Sequence, residues 1–585
     1  MIEKPRVEKV FLLSILALAF GLRVWGLGFG LPALYHADEP IVVNHALAFG
    51  SGDFNPHFFK IPPLASYVLC GIYALYYLAG HFAGHFSGPA DFERLFYSNP
   101  SSFYFAARFL LGAVAGTLTV YFFYRMVRRH FDAGRALAAS FFLAVCFLHV
   151  SDSHYVYADI PLLLVIVSAL DYFLTLAEKQ PVSLGGHLAA GGWIGLAAAF
   201  KYNGVFLFFP YAVVLWKTGT GRPWRTVFFF AVAGAAALTL FTLFNPFWIL
   251  DGSFFIRELQ TQARSHAGVG LLHHFVYSLP GALGWPILGA AMLGITAVLK
   301  SGNRNKEISG RCFKRILLVS FVGGYYLVLA AAGQPYARYV LPLLPGFIFF
   351  AADFLFLVAV RFPRWNRGVF CLGILLLAAP SFVKSLYWDR LMAAPDVRDL
   401  AKEWAEGHLP SGAKVALDRD FYMPRLSFSR EQLLSKQKDL TAQVFFHSAQ
   451  QRRIESLLNH VRGARAYELY FLVAHPATQE RFLYAKPVFP YNLSALEKAG
   501  VDYVFLLSGE KHKFTGSFYG DVARRGKRIA EFSPYKDKAR MKPYDEVTMT
   551  GGPFTWAEIR NRERNGQAIE VYELSKNGND KQGAF

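Results

Sequence analysis

The stretch VFLLSILALAFGLRVWGLGFGLPALYHADEP, residues 10–40, holds the two features on which the rest of the chain turns. From Val10 to Gly30 it carries one charge, Arg23, and it follows Lys4, Arg6 and Lys9. A run of about twenty apolar residues is what a helix needs to cross the core of a bilayer. No small-x-small cleavage pattern follows and further runs come later, so the reading is an uncleaved first span, not a signal peptide. Then comes His36-Ala37-Asp38-Glu39-Pro40. Its proline suits the first turn of a helix, and the bland reading of the acids is a cap on an ordinary loop. The other reading is a pair of carboxylates held at membrane depth, where acids are costly and usually functional.

The rest of the sequence repeats the first feature. Of 585 residues, 54% are hydrophobic and 17% charged, against about 25% charged in an ordinary soluble protein. Disordered and fibrous proteins are excluded by this composition, and a purely soluble enzyme by the grouping of the apolar residues. Fifty-seven Phe and thirty Tyr suit aromatic belts. Further spans are expected near 103–125, 133–150, 158–178, 184–200, 203–217, 226–246, 279–299, 316–332, 338–360 and 368–386. Up to Trp388 there are 29 Lys and Arg and 16 Asp and Glu, and from Asp389 onward 31 and 25. The expectation is an α-helical polytopic membrane domain, 1–387, followed by an α/β domain, 388–585, large enough to bury its own core. The four cysteines, Cys70, Cys146, Cys312 and Cys371, fit no zinc motif. None falls in the second domain, so no disulfide framework supports it.

Net charge +19 raises the question of nucleic acid, but the basic residues answer it by position. They cluster in Arg125/Arg128/Arg129/Arg135, Lys217/Arg222/Arg225, Arg304/Lys306/Arg311/Lys314/Arg315 and Arg361/Arg364/Arg367, short loops between apolar runs. The positive-inside rule puts all four in the cytoplasm. That holds if the N-terminus is cytoplasmic and the apolar stretch 62–82 does not cross. The reading is therefore eleven spans, a juxtamembrane or re-entrant helix at 62–82, and an extracytoplasmic C-terminal domain, in the plasma (inner) membrane.

On this topology Asp38, Glu39, Asp53, Asp152, Asp159, Asp251 and Glu258 map to the outer side, together with Arg23, Lys60, Arg108, Lys201 and Arg338. A lipid-borne anion would suit such a mouth. The motifs there are Lys60-Ile61-Pro62-Pro63, Ser153-His154-Tyr155-Val156-Tyr157-Ala158-Asp159-Ile160-Pro161, Lys201-Tyr202-Asn203-Gly204 and Ala337-Arg338-Tyr339. Each also has an ordinary explanation: a helix start, a helix cap, a loop between spans, an interface anchor. Their meeting on one face is the functional argument.

Taken in order, Asp38-Glu39, Pro62-Pro63-Leu64, Arg108, Tyr157-Ala158-Asp159 with Pro161, Lys201-Tyr202-Asn203-Gly204 and Arg338-Tyr339 with Pro342 resemble the C-type superfamily of polytopic membrane glycosyltransferases. The nearer likeness is to its protein O-mannosyltransferase and lipid A aminoarabinose transferase branch. The likeness covers roughly residues 20–345, and the tail resembles the extracytoplasmic domains of relatives. Phe59-Lys60-Ile61 departs from the acid-Lys pair that the aminoarabinose transferases carry before their Pro-Pro, which argues against that sugar. The resemblance implies transfer of a sugar from a polyprenyl or dolichyl phosphate carrier to a lipid, glycan or protein acceptor, with inversion. It implies Asp38 as general base with Glu39 as alternative, and Lys201, Arg338, Lys60 and Arg108 as donor or lipid-phosphate contacts. Asp159, His154 and Tyr157 would orient the acceptor or a divalent metal ion, whose identity and ligands stay open. A transporter or lipid-linked sugar flippase is the first alternative, since many spans and intramembrane charges suit that class, but its charges should also occur near midplane, where Asp171 and Asp353 are the main acids and too few. An oligosaccharide ligase or polymerase is the second. In the tail, periodicity predicts a helix over 396–407 and strands over 414–417, 501–507, 526–532 and 568–574.

Overall fold

The computed structural model describes residues 5–36, 38–179, 181–218, 222–266, 270, 272–302, 310–333, 336–418, 422–441, 447–460, 465–473, 488–508, 516–537 and 556–574. Ala37, Arg304, Lys306, Gln334 and Pro335 lie outside the described residues.

The apolar runs fold as helices, and the chain is a multi-pass helical membrane protein with a C-terminal α/β domain. Every expected span lies mainly on one helix or on helical segments in series, the first ending at Val24, six residues short of Gly30. Among the described residues, seven helices are long and apolar enough to cross a membrane, and eight if the bent pair His274–Leu283 and Trp285–Lys300 counts as one span. The difference from eleven has local causes. Pro5–Val24 carries Arg6, Glu8, Lys9 and Arg23. The run 133–150 breaks into Ala133–Ala144 and Phe147–Asp152, and Lys201 separates Leu184–Phe200 from the helical stretch beyond it. Leu64–Phe82 is one of the seven, so its length alone would let it cross. Only the charge of the loops keeps it at the surface in the sequence reading.

Helix Pro223–Phe244 is held by a seam of small residues. A Cβ at Gly191 or Gly195 would come within 2.2 or 2.3 Å of the carbonyl oxygens of Ala233 and Ala237. Small residues let helix backbones approach this closely where lipid offers no hydrophobic drive.

The charges divide between the two ends of the bundle. At the end of the basic loops, Asp171 accepts hydrogen bonds from Arg125 at 3.0 Å and Arg129 at 3.1 Å, and Asp353 from Arg135 at 2.6 Å and Arg315 at 2.7 Å. The two deeper acids are thus tied to the arginines of the basic loops.

The second domain begins with helix Val397–His408, capped at Asp396. Its six strands are β1 (Lys414–Asp418), β2 (Glu468–Val473), β3 (Val488–Pro490), β4 (Tyr503–Leu507), β5 (Gly526–Phe532) and β6 (Ile569–Leu574). They form one sheet in the order β3-β2-β1-β4-β6-β5, with the first four parallel and β6 and β5 antiparallel. Side chains alternate across a strand. Val415 and Leu417 pack with Val397, Ala401 and Ala405 on one face, and Ala416 with Leu493, Leu496 and Val522 on the other.

Candidate active site

The chemistry-bearing residues sit where helices break. Asp38 directly precedes helix Glu39–Ala48, and Asp159 is the first residue of Asp159–Leu176. Lys201 is the extended residue after Leu184–Phe200, and Arg338 stands in the 3-10 segment Ala337–Leu343. Breaks leave backbone groups and side chains facing a mouth instead of a neighbouring helix. Gly204 makes the turn after Lys201 possible, because a Cβ there would lie 2.3 Å from the backbone of Ala197.

Two ion pairs form the centre. Arg338 donates from Nη1 to Asp38 Oδ2 at 2.8 Å, and Tyr157 Oη donates to the same oxygen at 3.2 Å. The Arg338 guanidinium also lies over the Tyr157 ring, 4.7 Å from its centre. Lys201 Nζ donates to Asp159 Oδ1 at 2.7 Å and sits 5.1 Å from the Tyr339 ring centre. The Asp38 side chain keeps 29% of its surface exposed, Lys201 19% and Arg338 16%. Arg338 Nε and Asn203 Oδ1 are buried and make no hydrogen bond among the described residues. Neither acid acts as a cap: the side chain of Asp38 makes no capping hydrogen bond, and the cap position before Asp159 is Ala158.

The electrostatics keep the Asp38–Arg338 pair charged. Burial works against the Asp38 carboxylate, but Arg338 and Tyr157 outweigh it and hold the group below the usual carboxylate range. Asp152 behaves in the opposite way. Burial, reinforced by the charge of Asp159, pushes its carboxyl up to about 8. Near neutral pH the mouth therefore sets the Asp38 carboxylate against the Arg338 guanidinium, with Asp152 largely protonated. His36 is buried and pushed down to about 4, first by burial. It meets the Tyr157 hydroxyl at 2.8 Å through Nε2.

Four residues grouped with the site by sequence take other places. Glu39 and Arg108 are both fully buried and joined by two hydrogen bonds, Nε to Oε1 at 2.8 Å and Nη2 to Oε2 at 2.7 Å. Arg108 also donates to the carbonyls of Leu27 and Phe29, and Glu39 accepts from Val156 N at 3.1 Å. Arg108 opens a π-helical turn, Arg108–Val114, inside an otherwise α-helical stretch. The pair is a sealed clasp between the Asp38 loop and the Tyr157 loop, open neither to a lipid phosphate nor to an acceptor. His154 is buried with ring nitrogens on the carbonyls of Val150 and Trp25, and its Nε2 lies 3.7 Å from Asp389. It faces backbone, away from the mouth. Lys60 is exposed, 5.9 Å from the Phe58 ring centre, and makes no ion pair among the described residues. Its neighbour Phe59 is fixed through its carbonyl by Tyr202 and through its amide by Glu258. Among the described residues no three His, Cys, Asp or Glu side chains come together as a metal-holding group.

The sequence reading assigns no role to Asp152, Asn203 or Tyr339. Asn203 pairs with the hydroxyl of Tyr325. Only the position of Asn203 and Tyr339 beside the charged residues of their motifs points to them.

Residues 101–249, about a quarter of the chain, match the family described as dolichyl-phosphate-mannose-protein mannosyltransferase. This agrees with the resemblance read from the motifs. No curated protein matches the chain. Among solved structures it is similar to ArnT from Cupriavidus metallidurans bound to undecaprenyl phosphate. The identity is 12% over 97% of this chain and 98% of that one, with a TM-score of 0.48. The apo oligosaccharyltransferase of Archaeoglobus fulgidus is 13% identical over 91% of this chain and 74% of that one, also with a TM-score of 0.48. The protein O-mannosyltransferase Pmt1-Pmt2 complex of S. cerevisiae, bound to its sugar donor, is 21% identical over 44% and 35%, with a TM-score of 0.30.

Proposed function

We propose that the protein is a glycosyltransferase that moves a sugar from a polyprenyl or dolichyl phosphate to an acceptor at the extracytoplasmic face of the membrane. The observation that carries this reading is the meeting of Asp38–Arg338 and Asp159–Lys201 at helix breaks on one end of an apolar bundle. The match of residues 101–249 to a family of dolichyl-phosphate-mannose users supports the class of donor.

The step follows from the charges. The donor is a phosphodiester with one negative charge, and the phosphate that leaves gains a second. Arg338 and Lys201 meet that growing charge, and positioned donors of this kind contribute most where charge develops. An acceptor hydroxyl attacks the anomeric carbon as its proton passes to Asp38. The bond from that carbon to the phosphate oxygen breaks, the electron pair leaves with the phosphate, and the anomeric centre inverts. Paired with it, Arg338 restrains Asp38, because an ion-paired carboxylate is a weak base. A lipid phosphate that draws Arg338 toward itself restores the basicity of Asp38 at the moment the donor is present. Tyr157 orients the carboxylate, and Asp159 holds Lys201.

The test is sugar transfer from a purified polyprenyl-phosphate donor to a set of lipid, glycan and peptide acceptors in nanodiscs, with donor binding measured alongside. Asp38→Asn should lower transfer by about a hundred- to ten-thousand-fold, the usual contribution of a general base, and leave donor binding intact. Lys201→Ala should weaken donor use. Near wild-type transfer by a well-folded Asp38→Asn protein would remove Asp38 from the chemistry.

A further inference from the structure

The segment from Trp25 to His36 runs between the first helix and Asp38, and the C-terminal domain grips it. Tyr35, 4% exposed, donates its hydroxyl to Asp399 Oδ1 at 2.6 Å. The guanidinium of Arg398 lies flat against the same ring, 3.7 Å from its centre. Both partners belong to the first helix of the C-terminal domain and are themselves fixed. Arg398 is 5% exposed and bonded to Asp396 from Nε and Nη2, each at 2.8 Å. Asp399 accepts from the amide of Asp396 in the capping box of that helix. Asp396 is backed in turn by Gly566, where a Cβ would come within 2.6 Å of its Oδ1.

The segment is also tightly packed at two glycines. At Gly26, with φ +86°, a Cβ would lie 2.7 Å from Met392 Cβ and 2.9 Å from Ala393 N, at the entry to the domain. At Gly30, with φ +60°, it would lie 2.7 Å from the Tyr35 ring. On the far side of the segment, Arg108 holds the carbonyls of Leu27 and Phe29, and His154 holds that of Trp25. One residue beyond Tyr35, His36 packs on Tyr155 with ring centres 4.2 Å apart and reaches Tyr157, the residue that also bonds Asp38. The path from Asp399 to the Asp38 carboxylate is thus an unbroken series of short contacts.

We propose that the C-terminal domain is a working part of the site, holding the Asp38 loop in place through the Tyr35–Asp399 hydrogen bond and the Arg398 stack. Tyr35 is then a positioning residue for Asp38. In its catalytic consequence the inference rests on the function proposed above. A productive site holds its groups to about 0.5 Å, and a misplacement of about 1 Å can lower turnover about a hundredfold.

The experiment uses the full chain in nanodiscs with Tyr35→Phe, which keeps the ring against Arg398 and deletes only the hydroxyl, and with Asp399→Ala, Asp399→Asn and the Tyr35→Phe/Asp399→Ala pair. Two readouts are taken: amide hydrogen exchange of peptides covering 31–42, and kcat and KM for the polyprenyl-phosphate donor. The expected result is faster exchange of 31–42 in Tyr35→Phe, with kcat lower by about ten- to a hundredfold and KM within a factor of about two. The double variant should be no worse than the poorer single one, and Asp399→Asn, which keeps an acceptor oxygen, should recover much of the loss. Unchanged exchange of 31–42 in Tyr35→Phe would overturn the inference, as would single effects that simply add. If the wild type transfers no sugar, the proposed function fails, while the exchange arm still decides whether the domain holds the loop.

Discussion

Replacing Glu39 separates a residue that holds the structure from one that does chemistry. Glu39→Ala leaves the Arg108 guanidinium fully buried with only the carbonyls of Leu27 and Phe29 and the Phe29 ring, 4.0 Å from its centre, as company. Breaking a buried ion pair by removing one partner costs about 3–5 kcal/mol, because the surviving charge is stranded. The Val156 amide loses its acceptor as well, a loss of about 1–3 kcal/mol that overlaps with the first. Against a usual total of about 5–15 kcal/mol, this is a large share. Removing both charges with well-packed apolar groups, as in Glu39→Leu with Arg108→Met, should return most of it, since such replacements are often neutral or stabilising. The assay is thermal unfolding in detergent followed by intrinsic fluorescence, with transfer measured on the same preparations. Expected is a markedly lower transition for Glu39→Ala, and recovery in the double variant of both stability and a good part of the transfer. A Glu39→Ala protein that melts like the wild type yet has lost transfer would refute the reasoning and make Glu39 a participant in the chemistry.

Three further outcomes follow from the same geometry. His36 is neutral and buried down to about pH 4, whereas an unfolded histidine takes its proton near 6.5. The unfolded chain therefore binds more protons between those values, and stability should fall as the pH drops from about 6.5 toward 4. His36→Asn should flatten that slope in melts recorded across the range, and an unchanged slope would exonerate His36. Reporter fusions at Gly407 and Arg129 should report opposite sides of the membrane, with Gly407 outside; a shared side would reverse the reading of the basic loops. Cysteines placed at Ser51 and Ser87, in a protein stripped of its own four, should be labelled from the same side, and opposite labelling would mean that Leu64–Phe82 crosses.

The parts of this fold that announce themselves in sequence are those set by neighbours in the chain. Helix Val397–His408 and strands β1, β4, β5 and β6 follow from local periodicity, and the apolar runs become helices close to their expected limits. β2, with Leu469 to Leu472 as apolar as the core of β4, is equally plain between Gly463 and Pro476, yet the sequence reading passes over it. Of the site, the residue types and their common end of the bundle are legible. The pairings are not. Asp38 and Glu39 are adjacent in the chain and point to different faces, one to Arg338 and one to Arg108, and nothing in a run of letters says which. A buried, paired arginine and an arginine at a mouth look alike until the chain is folded.

The distances along the chain between partners have a consequence for how the protein is made. Glu39 meets Arg108 after 69 residues, but Asp38 waits 300 residues for Arg338 and Tyr35 waits 364 for Asp399. At ribosomal rates of about 5–20 residues per second, the last of these intervals is roughly twenty seconds to a little over a minute. The clasp is therefore available early, and the Asp38 carboxylate gains its partner only once synthesis has passed the middle of the chain. A chain cut short before residue 338 carries the acid without its partner, and one cut before 399 leaves the loop without its grip. A truncated product is thus an incomplete site, however many of its helices have already entered the membrane.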